Sequence, residues 1–424
     1  MAKRLTIYIL VGLVLGIVVG LTTHQLLDDG SAQAAARLKA VAGYVSIVTT
    51  VFLRLIKMII APLVFATLVS GIAQMGDTAA LGRVGARALG WFITASLVSL
   101  GLGMLLVNLL RPGVGINLPL PAAGAAVDVK TEAFSLANFI THIFPASMID
   151  AMAQNEVLQI VVFSLFVGVA TTAVGEPARP IVRAVEALVQ VMLKITDYVM
   201  RFAPFAVFAA VTATLIERGP SVIGKLAVFM GSFYLALLIL WAILLVAGAL
   251  VIGGARIRAL VGYVREPLLI AFTTASSEAA YPRMLEALER FGIPNRIASF
   301  VLPLGYSFNL DGSMMYCAFA SLFIAQAYGI HLDLATQATM LLFLMITSKG
   351  IASVPRASLV VIAATLPLFG IPEEGLLLIL AVDHFLDMGR TATNVIGNAV
   401  ASAVVAKWEG PIAPSVPIEK PVQA

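Results

Sequence analysis

Four groups of polar residues interrupt hydrophobic stretches in the last third of the chain. They are Thr273 to Glu278 (Thr-Thr-Ala-Ser-Ser-Glu), Gly305 to Ser313 (Gly-Tyr-Ser-Phe-Asn-Leu-Asp-Gly-Ser), Thr347 to Pro355 (Thr-Ser-Lys-Gly-Ile-Ala-Ser-Val-Pro), and the row Asp383, Asp387, Arg390, Thr391, Asn394, Asn398. Amides, carboxylates and a guanidinium in hydrocarbon cost kilocalories each, so segments this apolar keep them only where they pair or bind something. At about 100° per residue the six members of the last row share an arc of roughly 100°, one face of a helix. Arginine reads a carboxylate through two parallel hydrogen bonds, and Asp387 beside it suits an ammonium group, so the pair matches an amino acid zwitterion. The plainer alternative is that Asp387 and Arg390, at i and i+3, neutralise each other. That leaves Thr391, Asn394 and Asn398 without a role. Asn309 and Asp311, two apart, cannot share a helix face. The flanking Gly305 and Gly312 permit unwinding that turns carbonyls and both side chains on one hard cation. Oxygen-only ligation suits sodium better than a transition metal. The alternative there is a kink with capped polar groups.

The elements that hold these groups lie in a membrane. Hydrophobic residues make up 60% of the chain and charged residues 12%, with a mean hydropathy of +1.00; a soluble domain carries about twice that charged fraction. Helical spans are expected at about 5 to 26, 44 to 73, 79 to 110, 134 to 173 with a break near Pro145, 182 to 215 and 222 to 253. The first is too long for a signal-peptide core and has no small-residue cleavage site before Asp28, so it reads as a retained helix. Lys3, Arg4, Arg83 and Arg87 place the N-terminus and the connection after the second span on the cytoplasmic side. Arg54 and Lys57, three apart in the second span, read as snorkelling or pairing at its rim. Arg111 to Glu132 suits an extramembrane loop, and the proline-broken stretch after Trp408 a disordered tail. Cys317 stands alone, so no intrachain disulfide forms, and the four histidines are too scattered for a metal cluster. The net charge of +4 reflects orientation and not nucleic-acid binding.

After residue 255 the pattern changes. The stretches 263 to 293 and 334 to 369 are broken near their midpoints by Ser/Thr/Gly runs and a proline, which a straight spanning helix avoids because its freed backbone groups find no water. A pair of re-entrant helical hairpins meets the constraint, with half-helix ends and unwound backbone at membrane depth. Two such segments, each followed by a polar-bearing span, suggest an internal repeat of inverted topology.

Ser-Ser-Glu-Ala-Ala-Tyr-Pro-Arg (276 to 283), Asn-Leu-Asp-Gly-Ser (309 to 313), Ser-Lys-Gly-Ile-Ala-Ser-Val-Pro (348 to 355) and Asp-Met-Gly-Arg-Thr-Ala-Thr-Asn-Val-Ile-Gly-Asn (387 to 398) resemble the signature segments of the dicarboxylate/amino acid:cation symporters, the glutamate transporter homologues. Ile59 to Val64 and Asn155 to Gly168 resemble weaker segments of that family. The resemblance implies an all-α membrane protein of eight transmembrane helices and two re-entrant hairpins with inverted repeats, working as an elevator-type homotrimer. Residues 1–255 would be six helices, mostly scaffold and trimerisation with part of the transport domain. Residues 256–408 would be the transport core (hairpin 1, helix 7, hairpin 2, helix 8) and 409–424 a disordered tail. It implies that Arg390 holds a distal carboxylate and Asp387 an amino group, that Thr391, Asn394 and Ser313 add hydrogen bonds, and that Ser276, Ser277, Val354 and Ser358 line the ligand from the hairpins. For sodium it implies one site at Gly305, Asn309, Asn394 and Asn398, a second at Ser307, Ser348 and Ile351, and a third at Asn309, Asp311 and Thr94. Three positions depart from the family pattern: Asn398 stands where sodium-coupled archaeal members have an aspartate, Arg356 where a glycine is usual, and Ala275 where some relatives have arginine.

The expected protein is thus no enzyme and needs no cofactor. It is a symporter of the bacterial inner membrane coupling uptake of glutamate or aspartate to sodium, protons or both, with a C4-dicarboxylate as the alternative substrate and membrane lipid and further copies of itself as partners. Gly219 to Lys225 nearly spells a phosphate-binding loop, but Leu226 replaces the magnesium-binding Ser/Thr and no strand precedes it. An intramembrane hydrolase lacks a histidine near Ser276 or Ser313 in sequence. An ion channel stays open as a reading, because polar hairpins also build filters.

Overall fold

The computed structural model describes residues 2–75, 78–115, 141, 143–348, 357–380 and 382–414, and every regular element among them is a helix. In chain order these are α1 (Ala2–Leu27), α2 (Ala32–Met75), α3 (Thr78–Leu110), α4 (Met148–Gln154), α5 (Val157–Val174), α6 (Arg179–Met200), α7 (Ala203–Lys225), α8 (Ala227–Ile252), α9 (Gly254–Thr274), α10 (Ser277–Phe291), α11 (Asn295–Phe308), α12 (Asp311–Ala327), α13 (Leu334–Thr347), α14 (Ala357–Thr365), α15 (Leu376–Leu380) and α16 (Asp383–Glu409). Six of the described spans are long and apolar enough to cross a membrane, or seven if the bent pair α6 and α7 counts as one.

The first half differs from the sequence expectation at four places, one of them a second break in the 134 to 173 stretch at Asn155 (φ 55°), between α4 and α5. α2 begins at Ala32 and not near residue 44, because Ala32 to Lys39 is rich in strong helix formers that a hydropathy reading overlooks. The stretch 182 to 215 is two helices bent by 51°. Pro204 gives the reason: it disfavours helical geometry at the residue before it, and the chain breaks at Arg201–Phe202. Gly219, with φ 61° and ψ 176°, breaks α7 from within, beyond residue 215 where that span was expected to end. Gly12, Gly16 and Gly20 of α1 bring its backbone onto α7; a Cβ on Gly12 would lie 2.6 Å from the Pro204 carbonyl oxygen.

Burial sorts the elements into two tiers. α1, α2, α3, α7 and α8 leave Val14, Val18, Ile47, Leu105, Phe205 and Leu250 exposed, while α12 and α16 are almost wholly buried. Apolar faces turned outward suit lipid or another membrane-embedded copy. Inside, α9 and α10 join across Ala275 and Ser276 and pack on each other, and both pack on α16. Ala275 takes the left-handed conformation at φ 49° that ends α9, and Ser276 is the N-cap of α10, accepting from the Ala279 amide at 3.2 Å. The partner pair α13 and α14 also pack together. Their connection, 349–356, which holds Lys349, Ile351, Val354 and Arg356, lies outside the described residues, as do most of the Arg111 to Glu132 loop and His142.

The described part of the expected tail, 409–414, is tied to the helices. Glu409 pairs with Arg83 at 3.1 Å and Arg87 at 2.7 Å on α3. Arg256 donates to the Ile412 and Ala413 carbonyls at 3.1 Å, and the Ala413 amide donates to the Gly292 carbonyl at 3.2 Å. Prolines 411 and 414 prevent a helix there without preventing these contacts.

Candidate substrate and ion site

α16 is the axis of the site. Arg390 is 1% exposed, and its Nη2 lies 3.1 Å from Asp383 Oδ1 and 2.8 Å from Asp387 Oδ1. Its guanidinium carbon sits 4.0 Å from the centre of the Tyr316 ring, a cation–π contact from α12. The Tyr316 hydroxyl donates to Asp383 Oδ1 at 3.1 Å, closing a triad behind the arginine. A guanidinium carries five N–H donors. Nη2 faces the two carboxylates, while buried Nε and Nη1 find no partner among the described residues. Such donors are costly unless a ligand takes them. Asp387, with its side chain 31% exposed, marks the open side.

The break between α11 and α12 packs against the same helix. Asn394 Oδ1 accepts from the backbone amides of Gly312 at 2.9 Å and Ser313 at 3.3 Å, and its Nδ2 donates to Ser313 Oγ at 3.2 Å. Asn309 Nδ2 donates to Asp311 Oδ2 and to Asn398 Oδ1, each at 3.2 Å. Asn309 and Asp311 are fully buried, and Asn309 Oδ1 has no partner among the described residues. The unwinding expected between the flanking Gly305 and Gly312 falls on Asn309 (φ −117°, ψ 61°) and Leu310 (φ −97°, ψ 61°). The two glycines are helical and serve close approach: a Cβ on Gly305 would collide with Asn398 Oδ1, and one on Gly312 with the Arg390 carbonyl oxygen. Three oxygen-bearing side chains therefore meet in one dry place, a donor set that fits a hard cation.

The remaining predicted residues are distributed less closely. Ser276 and Ser277 sit half-buried at the α9–α10 tip, and Ser358 is buried on α14, its carbonyl accepting from the Cys317 thiol at 3.9 Å, next to Tyr316. Thr391 is buried on α16. Ser307 and Ser348 are buried on α11 and at the end of α13, and Ser348 Oγ donates to the Met345 carbonyl at 3.0 Å. Those two helices share no substantial packing. Ile351 and Val354 fall outside the described residues. Thr94 is exposed and its hydroxyl returns to the Gly90 carbonyl at 2.8 Å, so it does not join Asn309 and Asp311. Two hydroxyls of that helix are buried, Ser96, with Oγ 3.5 Å from the Phe308 carbonyl, and Ser99, which donates to the Ala95 carbonyl at 2.8 Å.

The chain matches the sodium:dicarboxylate symporter family over residues 5–408. It belongs to this family. It is 38% identical over 407 residues to the proton/sodium-glutamate symport protein of Bacillus caldotenax, covering 95% of this chain and 94% of that one. Identity is 40% to the proton/glutamate-aspartate symporter of Escherichia coli (strain K12), covering 95% and 92%. It is 38% to the C4-dicarboxylate transport protein of Laribacter hongkongensis (strain HLHK9), covering 96% and 90%. The protein is accordingly an integral membrane transporter and not an enzyme. Tyr316 and the Asp383 contact were missed as parts of this symporter's site. A tyrosine in an otherwise apolar run beside Asp311 was the available signal, because buried tyrosine hydroxyls need a partner.

Proposed function

We propose that this symporter takes up an acidic amino acid, aspartate or glutamate, driven by the inward gradient of sodium, protons or both. The observation that carries the reading is Arg390: desolvated, flanked by Asp387, and holding unpartnered donors on Nε and Nη1. A substrate carboxylate satisfies those donors and its ammonium meets Asp387. Thr391, Asn394 and Ser313 supply further hydrogen bonds, with Ser276, Ser277, Val354 and Ser358 closing over the ligand. Asn309, Asp311 and Asn398 hold sodium beside it, and the Asn394 bridge to Gly312 and Ser313 couples that site to the substrate. Sodium and substrate then tighten each other's binding, as linkage requires.

The wider arrangement in this reading has eight spans and two re-entrant hairpins, α9–α10 and α13–α14, with the buried 256–408 core moving against the lipid-facing helices of 1–255. The apolar faces of those outer helices support a homotrimer, and the arginines at 83 and 87 support a cytoplasmic N-terminus in a bacterial inner membrane. A C4-dicarboxylate is the second reading. The existing pairing of Asp387 with Arg390 favours it, since a carboxylate already neutralised repels a second substrate carboxylate less. Uptake by purified protein in liposomes, with labelled aspartate, glutamate and succinate against imposed sodium and proton gradients, separates the two. Aspartate or glutamate uptake abolished by Arg390→Ala is expected; wild-type protein that takes up succinate and ignores both amino acids refutes the amino acid reading.

A further inference from the structure

α8 is the most apolar of the long helices, yet two of its aromatic side chains donate hydrogen bonds to α16. The Tyr234 hydroxyl reaches the Phe385 carbonyl at 2.5 Å, and Trp241 Nε1 reaches Thr393 Oγ1 at 2.7 Å. Thr393 Oγ1 in turn donates to the Gly389 carbonyl at 2.8 Å. Between these rungs, Gly389 lies so close to α8 that a Cβ on it would stand 2.8 Å from Leu237 Cδ1 and 2.9 Å from Tyr234 Cε1. Tyr234, Leu237 and Trp241 are spaced along one face of α8, and Phe385, Gly389 and Thr393 along one face of α16. The substrate-reading residues face away. Taking Gly389 as the origin, at about 100° per residue, Arg390, Asp383, Asn394, Asp387, Asn398 and Thr391 fall at roughly 100° to 200° around the helix.

We propose that Tyr234 and Trp241 are positioning residues, which act through α16 to fix the depth and rotation at which Arg390 meets the substrate. A helix held only by apolar contacts can slide or turn at little cost, and a slip of one residue carries Arg390 by about 1.5 Å and 100°. Two directional hydrogen bonds on the back of α16, one on each side of Gly389, oppose both motions. The upper one fixes the turn that carries Asp387; the lower one fixes the turn after Arg390. Both donors would otherwise be orphaned in an apolar helix, and neither touches the substrate in this arrangement.

The inference rests on Arg390 as the reader of the substrate carboxylate, and the test keeps the two apart. Full-length Tyr234→Phe, Trp241→Phe, Thr393→Val and Thr393→Ser proteins are reconstituted, and KM, Vmax and the thermal midpoint are measured beside wild type and Arg390→Ala. Tyr234→Phe keeps the ring against Gly389 and removes only the hydroxyl. Each loss of one hydrogen bond is expected to raise KM about three- to tenfold at the wild-type Vmax, whether or not the thermal midpoint falls by the amount that one hydrogen bond accounts for. Thr393→Val should behave like Trp241→Phe, and Thr393→Ser, which keeps the acceptor, should retain the wild-type KM. An unchanged KM in Tyr234→Phe and Trp241→Phe, with uptake abolished in Arg390→Ala, overturns the positioning role alone. A wild-type KM in Arg390→Ala overturns the substrate reading and this inference with it. A lowered thermal midpoint and Vmax at constant KM makes the contacts merely structural and also overturns it.

Discussion

Replacing Asp387 with serine removes the carboxylate proposed for the substrate ammonium while leaving the arginine partnered, because Asp383 still lies 3.1 Å from Arg390 Nη2. The variant therefore should fold. An ammonium about 4 Å from a carboxylate gains about 4 kcal/mol at an effective dielectric of 20. Two features reduce that figure: the Asp387 side chain is 31% exposed, and it already shares its charge with Arg390 at 2.8 Å. The net loss then falls to the about 1.5–3 kcal/mol of a charge-assisted hydrogen bond. That corresponds to about 10- to 150-fold weaker aspartate binding. Succinate has no ammonium, so its affinity should hold or improve once a facing negative charge is gone. Calorimetric titration of the solubilised protein at saturating sodium, with both ligands on both proteins, reads the difference directly. Equal losses for aspartate and succinate, or an aspartate loss below about threefold, would refute the assignment of Asp387 to the ammonium.

Asn398→Asp should lower the half-saturating sodium concentration, since its Oδ1 already faces Asn309 and the change adds a charge beside Asp311; about 1–2 kcal/mol is expected after repulsion from Asp311 is offset. Sodium titration of substrate binding checks this, and a higher sodium requirement counts against the site. Arg283 of α10 lies between Asp197 of α6 at 2.6 Å, Glu286 at 2.9 Å and Glu266 at 3.8 Å. Arg283→Met leaves three carboxylates without their cation and should destabilise by about 1–3 kcal/mol, reduced from a fully buried case because the Asp197 side chain is 46% exposed. Asp197→Asn added to it should recover part of the loss in thermal denaturation, and a double variant no more stable than the single one refutes the pairing.

The α16 face was legible because helical period alone puts Asp383, Asp387, Arg390, Thr391, Asn394 and Asn398 on one side. The α9–α10 turn was legible because the polar run Thr273 to Ser277, with Pro282 after it, interrupts an otherwise apolar stretch. What sequence could not supply was the other partner of each contact. Tyr316 stacks on Arg390, and Tyr234 and Trp241 bond α16 from a distant helix; no spacing rule joins residues on different elements. The break between Gly305 and Gly312 was legible, but which residues unwind was not, for a physical reason. Gly305 and Gly312 have the freedom to unwind, but in a tightly packed core the missing Cβ is spent on close approach, and Asn309 and Leu310 bend instead, held by the Asp311 and Asn398 side chains. Thr94 came from the family resemblance and not from helical period, and it lies on the exposed side of α3 with its hydroxyl bonded to Gly90.

If α16 carries the substrate as proposed, charge counting around it gives a physical reason for cations to travel with the substrate. Asp311, Asp383 and Asp387 bring three formal negative charges and Arg390 one positive, an excess of two negative charges in a region where Asp311, Asp383 and Arg390 are at most 3% exposed. An acidic amino acid adds one more, and a C4-dicarboxylate two. Every uncompensated charge carried through hydrocarbon costs several kcal/mol, so an anion moving alone would face a barrier that rises with each charge it adds. Sodium at the Asn309–Asp311–Asn398 oxygens, or a proton on one of the carboxylates, would lower that excess. A neutral Asn398 leaves one charge fewer to offset than an aspartate would. In the proposed reading the carboxylates beside the arginine thus do two things: they would select a substrate that brings its own ammonium, and they would make its passage depend on the cation gradient.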